Sequence, residues 1–536
     1  MKSYDALIIG GGHNGLVCAF YLANAGLSVR VLERRPMVGG AAVTEEFHPG
    51  FRNSTASYTV SLLHPKVIAD MRLAEHGYRV IERPVANFLP QPDGRYLIIG
   101  NDLARTQAEV RKFSSRDAER LPDYQASLWA VADLVRDLAL RTPPNIGGGA
   151  STFLEAIRLL RRAGRLRLEQ QRDLLDLFTK SARALLDGWF ECDPLKAALG
   201  FDAMVGNYAS PDTPGSAYVL LHHAIGEVNG RRGAWGHSVG GMGAITQAMA
   251  RACEAAGVEI SLEVPVARIL TTAGCIAGVR LESGEELACA TIAANVGPKL
   301  LYERLMDPAD LPVDFRRRIR NLKSGSGSFR MNVALSELPR FAALPDPGEH
   351  LQSGIIIAPS LDYMDQAFVD ARRHGWSRQP IIEMLIPSIV DDSLAPSGRH
   401  VASLFCQQFA PHLPDGRGWD EVRDAAANTV LDTIEDYAPG FKASVLGRLI
   451  LSPLDLERRF GLVDGDIMHG AMSLDQLWSA RPVLGHAAYR GPVTGLYMCG
   501  AGTHPGGGVS GLPGHNAARE MLRDRRWPRR RRVSHG

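Results

Sequence analysis

The feature that most constrains this chain is a glycine-rich turn near its beginning, which lies between an apolar stretch and a helical stretch. Residues Ala6–Ile9 are typical of a buried parallel strand, and residues 16–23 are typical of a helix. The turn between them has the spacing G-x-G-x-x-G, formed by Gly10, Gly12 and Gly15. A strand, such a turn and a helix in this order predict a Rossmann-type site for a dinucleotide.

Each glycine of this turn has a separate physical task. Gly10 permits the tight turn, Gly12 lets the backbone approach a pyrophosphate, and Gly15 lets the helix pack closely on the strand. The free N–H groups and the dipole at the start of the helix favour the phosphates. His13 and Asn14, which lie between Gly12 and Gly15, complete the predicted cofactor contacts of this turn.

An acidic residue stands where a dinucleotide site requires one. A second apolar strand, residues 28–32, ends on Glu33, about 20 residues after the turn. A carboxylate at this distance accepts the two hydroxyl groups of an adenosine ribose. The alternative, a glycine turn without a ligand, is disfavoured because strand, helix and acid all stand in the expected order.

A second glycine pair, Gly39 and Gly40, follows the ribose acid closely and distinguishes a flavin from a nicotinamide cofactor. The segment from Arg34 to this pair resembles the second fingerprint of the flavin-dependent amine oxidase and phytoene desaturase superfamily. The resemblance implies FAD as the cofactor, with this segment close to its diphosphate and ribityl chain. Many members carry an arginine after the pair, where this chain has Ala41. The backbone is therefore expected to make more of the contact.

Two later segments also resemble FAD-binding parts of this superfamily. In residues 233–300, the resemblance implies that Val264 and Val266 touch the adenine through main-chain groups. Near the C-terminus a strand leads into a glycine-rich turn and a helix. The N–H groups at the start of that helix are expected to face the C2 carbonyl side of the flavin and to stabilise negative charge on its reduced form. The predicted cofactor contacts of this turn are Gly500, Gly502, Thr503 and Val509.

The chain of 536 residues is too long for one ordinary core, so two interleaved domains are expected. The FAD-binding domain is predicted to comprise residues 1–75, 233–300 and 455–524. The substrate domain is predicted to comprise residues 76–232 and 301–454, with a mainly helical part near 105–190, and a basic tail follows at 525–536. Within the substrate domain, one mixed sheet is expected from apolar strands near residues 329–335, 354–358, 381–386 and 400–409.

Together these features resemble the phytoene-desaturase-like flavoproteins over nearly the whole chain. Residues 39–46, 471–482 and 500–508 carry the resemblance, and bacterial flavin-dependent β-carotene ketolases share these patterns. The resemblance implies an α/β fold, in which a Rossmann-type FAD-binding domain of the amine oxidase/phytoene desaturase kind is interleaved with an α+β substrate domain. A separate NAD domain is not expected, because no second complete strand–GxGxxG–helix–acid unit is evident.

Composition and cysteine spacing exclude several other classes of protein. The net charge of +2 gives no reason to expect nucleic-acid binding. The seven cysteines form no C-x-x-C pair, which argues against a metal site, a disulfide framework and a redox-active disulfide. The first strand begins too close to residue 1 for a signal peptide, and no apolar run approaches the ~20 residues of a membrane span. We therefore expect a cytoplasmic protein.

Two basic segments leave peripheral contact with a membrane open. Residues 154–168 are typical of an amphipathic helix that carries five arginines, and the tail ends in a further arginine cluster. A solvated helix face and a solvated tail are the favoured interpretations. Attraction to an anionic lipid surface is the alternative for both.

The resemblance implies an FAD-dependent oxidoreductase that transfers a hydride from an apolar, isoprenoid or lipid-like substrate to flavin N5, in a dehydrogenation or desaturation. Two alternatives stay open: a carotenoid ketolase or desaturase proper, and a non-enzymatic flavoprotein with a partner-binding or regulatory role. The electron acceptor is expected to be oxygen or a quinone. The sequence does not indicate the oligomeric state.

Three residues are candidates for moving the second proton in such a reaction. His504 follows the C-terminal flavin turn and is the first choice, whereas His237 and Tyr58 are weaker candidates. For each of them a structural role is the favoured alternative, because such side chains commonly pack inside proteins. No HExxH motif, Ser-His-Asp elbow or metal-ligand spacing competes with a flavin site.

Overall fold

The computed structural model describes most of the chain, namely residues 4–100, 102–145, 157, 161, 164 and 167–526. Most of the arginine-rich stretch predicted at 154–168 and nearly all of the basic tail predicted at 525–536 lie outside the described residues. Within the described part, no helix is both long and apolar enough to cross a membrane.

Strands β1 to β21 of the described part are, in chain order, Ala6–Ile9, Val29–Leu32, Thr44–His48, Phe51–Ser54, Val80–Glu82, Val85–Pro90, Tyr96–Gly100, Glu227–Val228, Arg231–Arg232, Gly236–Ser238, Glu259–Ser261, Val266–Thr272, Cys275–Leu281, Glu286–Ala288, Ile292–Ala294, Phe329–Leu335, Gly354–Ile357, Trp376–Leu385, His400–Phe409, Val445–Leu451 and Leu496–Met498.

Helices α1 to α15 of the same residues are, in chain order, His13–Asn24, Pro65–Asp70, Leu103–Arg111, Ser115–Ala139, Leu168–Thr179, Ala182–Trp189, Asp193–Met204, Ala217–Ala224, Met242–Ala255, Val313–Arg320, Leu361–His374, Trp419–Tyr437, Phe441–Ser444, Pro453–Phe460 and Leu512–Arg526. The stretch from 105 to 190 is mainly helical where it is described, as predicted from the spacing of its apolar residues.

A five-stranded parallel sheet forms the nucleotide-binding part, with the strand order β11-β2-β1-β15-β21. Its strands come from the beginning, the middle and the end of the chain, so the predicted interleaving of segments is confirmed for this sheet. Strand β1 is fully buried and is followed by α1, which packs against α9 and α15. The carboxyl ends of these parallel strands meet at one edge, where ligands bind in open α/β sheets.

A seven-stranded mixed sheet forms the second part, with the order β20-β16-β19-β18-β17-β6-β7. It contains the four strands that the sequence predicted to share a sheet, and it adds the hairpin β6–β7 and strand β20. One face packs on α12, and the other face packs on α7 and α11. Phe405 of β19 pairs with Arg330 on the neighbouring strand β16 and with Glu383 on the other neighbour, β18. These three side chains therefore lie on the same face of the sheet.

Strand pairing crosses one of the predicted domain boundaries. Residues 76–82 were expected in the substrate domain, but β5 pairs with β10, which was predicted to lie in the nucleotide-binding domain. The physical reason is apolar packing, because Tyr78 and Val80 contact the core beneath the five-stranded sheet. Residues of β5 therefore pack with the core of the five-stranded sheet.

Candidate functional site

A long cavity begins at the carboxyl edge of the five-stranded sheet and ends at the seven-stranded sheet. It encloses about 1990 Å³ of empty space, including open solvent at its mouth. Gly10, Gly12 and Glu33 line one end, which we call the nucleotide end. Tyr58 and Phe405 line the other end, which we call the substrate end.

Glu33 occupies the position expected of the ribose-binding acid. Its side chain is buried and is held by two backbone donors: Gly11 N–H donates to Oε2 at 2.7 Å, and Arg35 N–H donates to Oε1 at 2.9 Å. Each carboxylate oxygen can accept more than one hydrogen bond. The carboxylate is therefore fixed in orientation and keeps acceptor capacity for two ribose hydroxyl groups.

The glycines of the first turn are needed because other groups lie where a side chain would be. A Cβ atom on Gly15 would lie 2.2 Å from the Gly10 carbonyl oxygen, which confirms the predicted close packing of helix on strand. A Cβ atom on Gly12 would lie 2.8 Å from Asn295 Nδ2, and a Cβ atom on Gly40 would lie 3.3 Å from the Gly12 Cα atom. The two glycine motifs thus meet and leave only bare backbone beside the cavity.

Asn295 supports this turn, although sequence reasoning gave it no role. It follows the buried strand β15, which lies next to β1, and its Nδ2 donates to the Gly10 carbonyl oxygen at 3.3 Å. The sequence feature that could have indicated this role is the position of Asn295 directly after an apolar strand, because that strand belongs to the same sheet as β1. Its amide also lies beside Gly12 and Gly15, so it holds the glycine turn from behind.

Most of the predicted cofactor contacts line the cavity. Val264 N–H donates to the Glu33 carbonyl oxygen at 2.9 Å, so only its carbonyl remains for a main-chain contact with a ligand. The lining members of the predicted set are Gly10, Gly12, His13, Asn14, Glu33, Arg34, Gly39, Gly40, Ala41, Val264, Val266 and Val509.

Four predicted contacts lie behind the lining. Gly15 packs against β1, and Gly500, Gly502 and Thr503 form the turn that places Ala501 in the cavity wall. The Thr503 hydroxyl is fully buried and donates to the Gly500 carbonyl oxygen at 2.8 Å. Their role is therefore to shape the wall.

Two histidines present unpartnered nitrogen atoms in the cavity lining. His13 Nε2 and His469 Nδ1 are buried without a hydrogen-bond partner among the described residues. Burial lowers the pKa of both side chains to about 4, so both imidazoles are neutral at neutral pH. The backbone of Gly508 lies close enough to His13 to oppose this lowering of its pKa, so the first turn and the C-terminal turn are neighbours. Sequence reasoning missed His469 because it belongs to no recognised motif.

These features fit a bound FAD. Glu33 offers acceptors for the ribose, and the two glycine motifs leave bare backbone where a diphosphate would pass. Beyond this turn the cavity continues along His13, His469 and Ala501. The unpartnered histidine nitrogens are suited to a polar cofactor, because an unsatisfied buried polar atom costs about 1–3 kcal/mol.

The substrate end is built mainly from aromatic and aliphatic side chains, and Ser57, Thr59 and Ser61 add hydroxyl groups next to Tyr58. Tyr58 stacks on Phe405, with ring centroids 5.0 Å apart and an interplanar angle of 18°. The remaining lining at this end includes Leu62, Val205, His223, Trp235, Ile467 and Met468.

Tyr58 also connects the cavity to a group of buried charges. Its hydroxyl donates to Glu383 Oε2 at 2.5 Å, and the Arg330 guanidinium lies 4.6 Å from its ring centroid. Glu383 Oε1 in turn lies 3.6 Å from Arg83 Nη1. Burial and the adjacent Glu383 carboxylate raise the pKa of Tyr58 well above its usual value. Tyr58 is therefore a neutral hydroxyl, hydrogen-bonded to a carboxylate behind the cavity wall.

The structure corrects the expected positions of the two candidate histidines. His504 does not line the cavity: its Nε2 is within 3.2 Å of the Leu138 carbonyl oxygen, and its ring packs on Trp478. His237 pairs with Asp391, with Nε2 and Oδ2 2.8 Å apart, outside the cavity lining. Both histidines are instead held by partners outside this cavity. Only Tyr58, of the three candidates, lines the cavity.

Comparison with known proteins assigns the chain to a family. The family model described as flavin containing amine oxidoreductase matches residues 15–329, and the chain belongs to this family. It is therefore a flavin-dependent oxidoreductase with FAD as its cofactor. The Rossmann-type FAD-binding fold predicted from the sequence is confirmed.

Individual relatives span almost the whole chain. Pyridine nucleotide-disulfide oxidoreductase domain-containing protein 2 of Rattus norvegicus is 43% identical over 97% of this chain and 94% of its own length. A limonene dehydrogenase polypeptide of Castellaniella defragrans is 25% identical over 98% and 95%, respectively. Lycopene-forming phytoene desaturase of Pantoea ananas is 25% identical over 95% and 96%. The resemblance to phytoene-desaturase-like flavoproteins is confirmed, at a sequence identity of 25%.

Solved structures show the same fold at low identity. Cyclohexylamine oxidase from Brevibacterium oxydans superposes with a TM-score of 0.54 at 15% identity, and the match covers 97% of this chain and 98% of that chain. A likeness at this level concerns the fold alone.

Proposed function

We propose that this protein is an FAD-dependent dehydrogenase of an apolar, isoprenoid or lipid-like substrate. The observation that carries the proposal is the uncharged substrate end of the cavity. Its lining there includes Tyr58, Phe405 and Trp235 together with aliphatic side chains and one buried histidine, His223. The polar neighbours of Tyr58 that also line the cavity, Ser57, Thr59 and Ser61, carry no charge. Burial lowers the pKa of His223, which favours its neutral form.

The distribution of charge along the cavity supports an uncharged substrate. Among the described lining residues, the carboxylates are Glu33 and Glu282, and the arginines are Arg34 and Arg35. All four lie with the nucleotide end, next to the predicted adenine contacts. An alkylammonium substrate gains most from a carboxylate in the lining beside it, and a buried unpaired charge is costly. A hydrocarbon substrate needs no such carboxylate.

The names of two relatives agree with this class of substrate. One is named for limonene and one for phytoene. At about one-quarter identity, these names support an isoprenoid hydrocarbon as the first substrate to test and do not select one compound.

In such a reaction, bound FAD supplies the hydride acceptor at N5. The chain itself must hold the substrate, exclude water and accept one proton. Tyr58 stacks on Phe405 and offers its hydroxyl at the cavity wall, where Glu383 is already its acceptor. This geometry suits transfer of a proton from the substrate to Tyr58 Oη as the Tyr58 proton passes to Glu383 Oε2.

The proposed step balances. One C–H bond of the substrate breaks with loss of a hydride, and the neighbouring C–H bond breaks with loss of a proton. The electron pair of the second C–H bond becomes the second bond of a new C=C double bond. The proton ends on Glu383, whose carboxylate lies beside Arg83.

The test is anaerobic reduction of the purified, FAD-loaded protein by candidate substrates. Limonene and phytoene in detergent are compared with putrescine and cyclohexylamine, and the loss of the visible absorption of the oxidised flavin is followed. We expect the hydrocarbons to reduce the flavin and the amines to leave it oxidised. Reduction by the amines alone would refute the proposal.

A Tyr58→Phe variant tests the proton route. It keeps the stacked ring and removes the hydroxyl that Glu383 accepts. General acid–base groups contribute about 10²- to 10⁴-fold to a rate, so we expect flavin reduction to slow by at least about 10²-fold with FAD binding unchanged. His504→Gln is the control, because its ring lies outside the cavity. An unchanged rate for Tyr58→Phe would exclude this route.

The physiological electron acceptor remains a prediction, with oxygen and a quinone as the candidates. Reoxidation of the reduced protein by air-saturated buffer and by a soluble quinone distinguishes them. Peripheral membrane contact also remains a prediction, and sedimentation with anionic vesicles tests it.

A further inference from the structure

Arg481 is a buried cation that donates only to carbonyl oxygens. Its side chain is 2% exposed, and Nη2 donates to the Met468 carbonyl oxygen at 2.6 Å. Nε and Nη2 both donate to the Ala501 carbonyl oxygen, at 3.2 and 2.9 Å. The further carbonyl acceptors are those of Gly470, Ala471 and Gln476.

The charge of this guanidinium is not neutralised by direct contact. Among the described residues, Arg481 forms no ion pair with a carboxylate within 4.0 Å. The acid that interacts with it electrostatically is Asp466, whose two oxygens accept the backbone N–H groups of Gly325, Met468 and Gly470. Burial lowers the pKa of Arg481 to about 10, which still leaves it charged at neutral pH.

Arg481 lies directly behind one part of the cavity wall. Its carbonyl partners Met468 and Ala501 both line the cavity. His469, which follows Met468 in the chain, lines the cavity as well. This part of the wall lies beyond the glycine turn as seen from Glu33. With the ribose held by Glu33 and the diphosphate at the glycine turn, the flavin half of the cofactor would lie on the far side, against this part of the wall.

The hydrogen bonds of Arg481 also fix the orientation of the wall. A planar trans peptide directs its N–H opposite to its C=O. Because the Ala501 carbonyl points to Arg481, the N–H of Gly502 points away from Arg481. The positive end of this peptide dipole therefore points in the direction away from the guanidinium, and the cation and the dipole lie together behind the cavity wall.

We propose that Arg481 sets the reduction potential of the bound FAD and positions the wall against which the flavin lies. Two-electron reduction with uptake of one proton leaves a negative charge on a flavin. A fixed positive charge in a water-poor site stabilises that charge more than it stabilises the neutral oxidised form. The inference concerns FAD itself and does not depend on the identity of the substrate.

The experiment measures the midpoint potential of the FAD-loaded protein during slow enzymatic reduction with a reference dye, without any substrate. Variants Arg481→Met and Arg481→Lys are compared with the unaltered protein. For Arg481→Met we expect the preference for reduced over oxidised FAD to fall at least tenfold, which is about 30 mV for a two-electron couple. Arg481→Lys keeps the charge and should shift the potential less, while its poorer fit to several carbonyls weakens FAD binding.

Arg490→Met is the matched control. Arg490 is also largely enclosed, with 18% of its side chain exposed, but its charge is neutralised by Glu520 and Asp524 at 2.8 and 2.6 Å. Its removal should leave the midpoint potential within error of the unaltered protein. An equal shift in Arg490→Met would show that general loosening lowers the potential, and it would overturn the inference.

Asp466→Asn provides a test of opposite sign that does not require Arg481 to be changed. It removes the acid that interacts with Arg481 and keeps one acceptor oxygen, which can serve the N–H groups of Gly325 and Gly470 while the new NH₂ faces that of Met468. We expect its midpoint potential to rise. An unchanged potential in Arg481→Met, or an unchanged or lower potential in Asp466→Asn, overturns the inference. If Arg481→Met does not retain FAD, Asp466→Asn decides alone.

Discussion

Glu33→Gln tests the nucleotide end of the cavity most sharply. The two oxygens of Glu33 accept the N–H groups of Gly11 and Arg35 at 2.7 and 2.9 Å. Glutamine has the same shape but replaces one oxygen with an NH₂ group. That NH₂ must face one of the two backbone donors, and it cannot accept a ribose hydroxyl.

The expected magnitude follows from counting lost hydrogen bonds. A hydrogen bond to a charged group contributes about 1.5–3 kcal/mol, so loss of one ribose bond weakens FAD binding by about 10- to 150-fold. The backbone donor left unpaired costs about 1–3 kcal/mol of stability in the apoprotein as well. The two losses are separate, because only the first changes the dissociation constant.

The assay is titration of the apoprotein with FAD, followed by quenching of flavin fluorescence, together with a thermal melt of the apoprotein. Glu46→Gln is the control, because Glu46 also accepts a backbone N–H, that of Gly50, but is exposed and lies outside the cavity lining. If Glu33→Gln bound FAD as tightly as the control, Glu33 would not be the ribose acceptor and the orientation assigned to the cofactor would be wrong.

Two further predictions concern packing and pH. Gly15→Ala places a Cβ atom 2.2 Å from the Gly10 carbonyl oxygen, so we expect a loss of about 1–3 kcal/mol or more in unfolding free energy and poor retention of FAD. Gly188→Ala, where nothing lies within 4 Å, should melt no lower than the unaltered protein, and equal melting of both variants would contradict the packing argument. Burial lowers the pKa of His13 and His469 to about 4, below the ~6.5 of an unfolded histidine. The unfolded chain therefore binds more protons between these values, and the apoprotein should lose stability as the pH falls from about 6.5 to about 4. Denaturant melts that are flat across this range would refute the assignment of neutral, buried imidazoles.

The nucleotide end was predictable from the sequence because its parts are close together in the chain. The strand, the glycine turn, α1 and Glu33 all lie within the first 33 residues, and each has a backbone reason for its residue type. The role of Gly15 in close packing followed directly from this pattern. Asn295 was missed because its neighbour relation to Gly10 exists only once β15 pairs with β1.

The substrate end was not predictable in the same way. Tyr58 and Glu383 are separated by 325 positions, and only the register of β18, β19 and β16 places Glu383 and Arg330 around the tyrosine. Arg481 lay within a stretch that carried the family resemblance, but its carbonyl partners Met468 and Ala501 come from two loops that are separate in the sequence. Position in a motif therefore gave no indication of its role.

His504 shows the opposite error, in which nearness in sequence was a poor guide to nearness in space. It directly follows Thr503 of the C-terminal turn, yet its ring turns towards Trp478 and the Leu138 carbonyl oxygen. A turn changes direction at every residue, so neighbouring side chains point to different surroundings. Tyr58, the weaker candidate in the sequence, is the one that reaches the cavity.

The most direct test of the central claim, that this cavity holds FAD, is the visible spectrum of the purified protein before and after acid precipitation. We predict the two absorption bands of an oxidised flavin, with the colour released into the supernatant as free FAD. Colour that stays with the pellet would indicate a covalent link. A colourless protein that FAD cannot reconstitute would contradict the claim, and the site from Gly10 to Gly15 would then need another ligand.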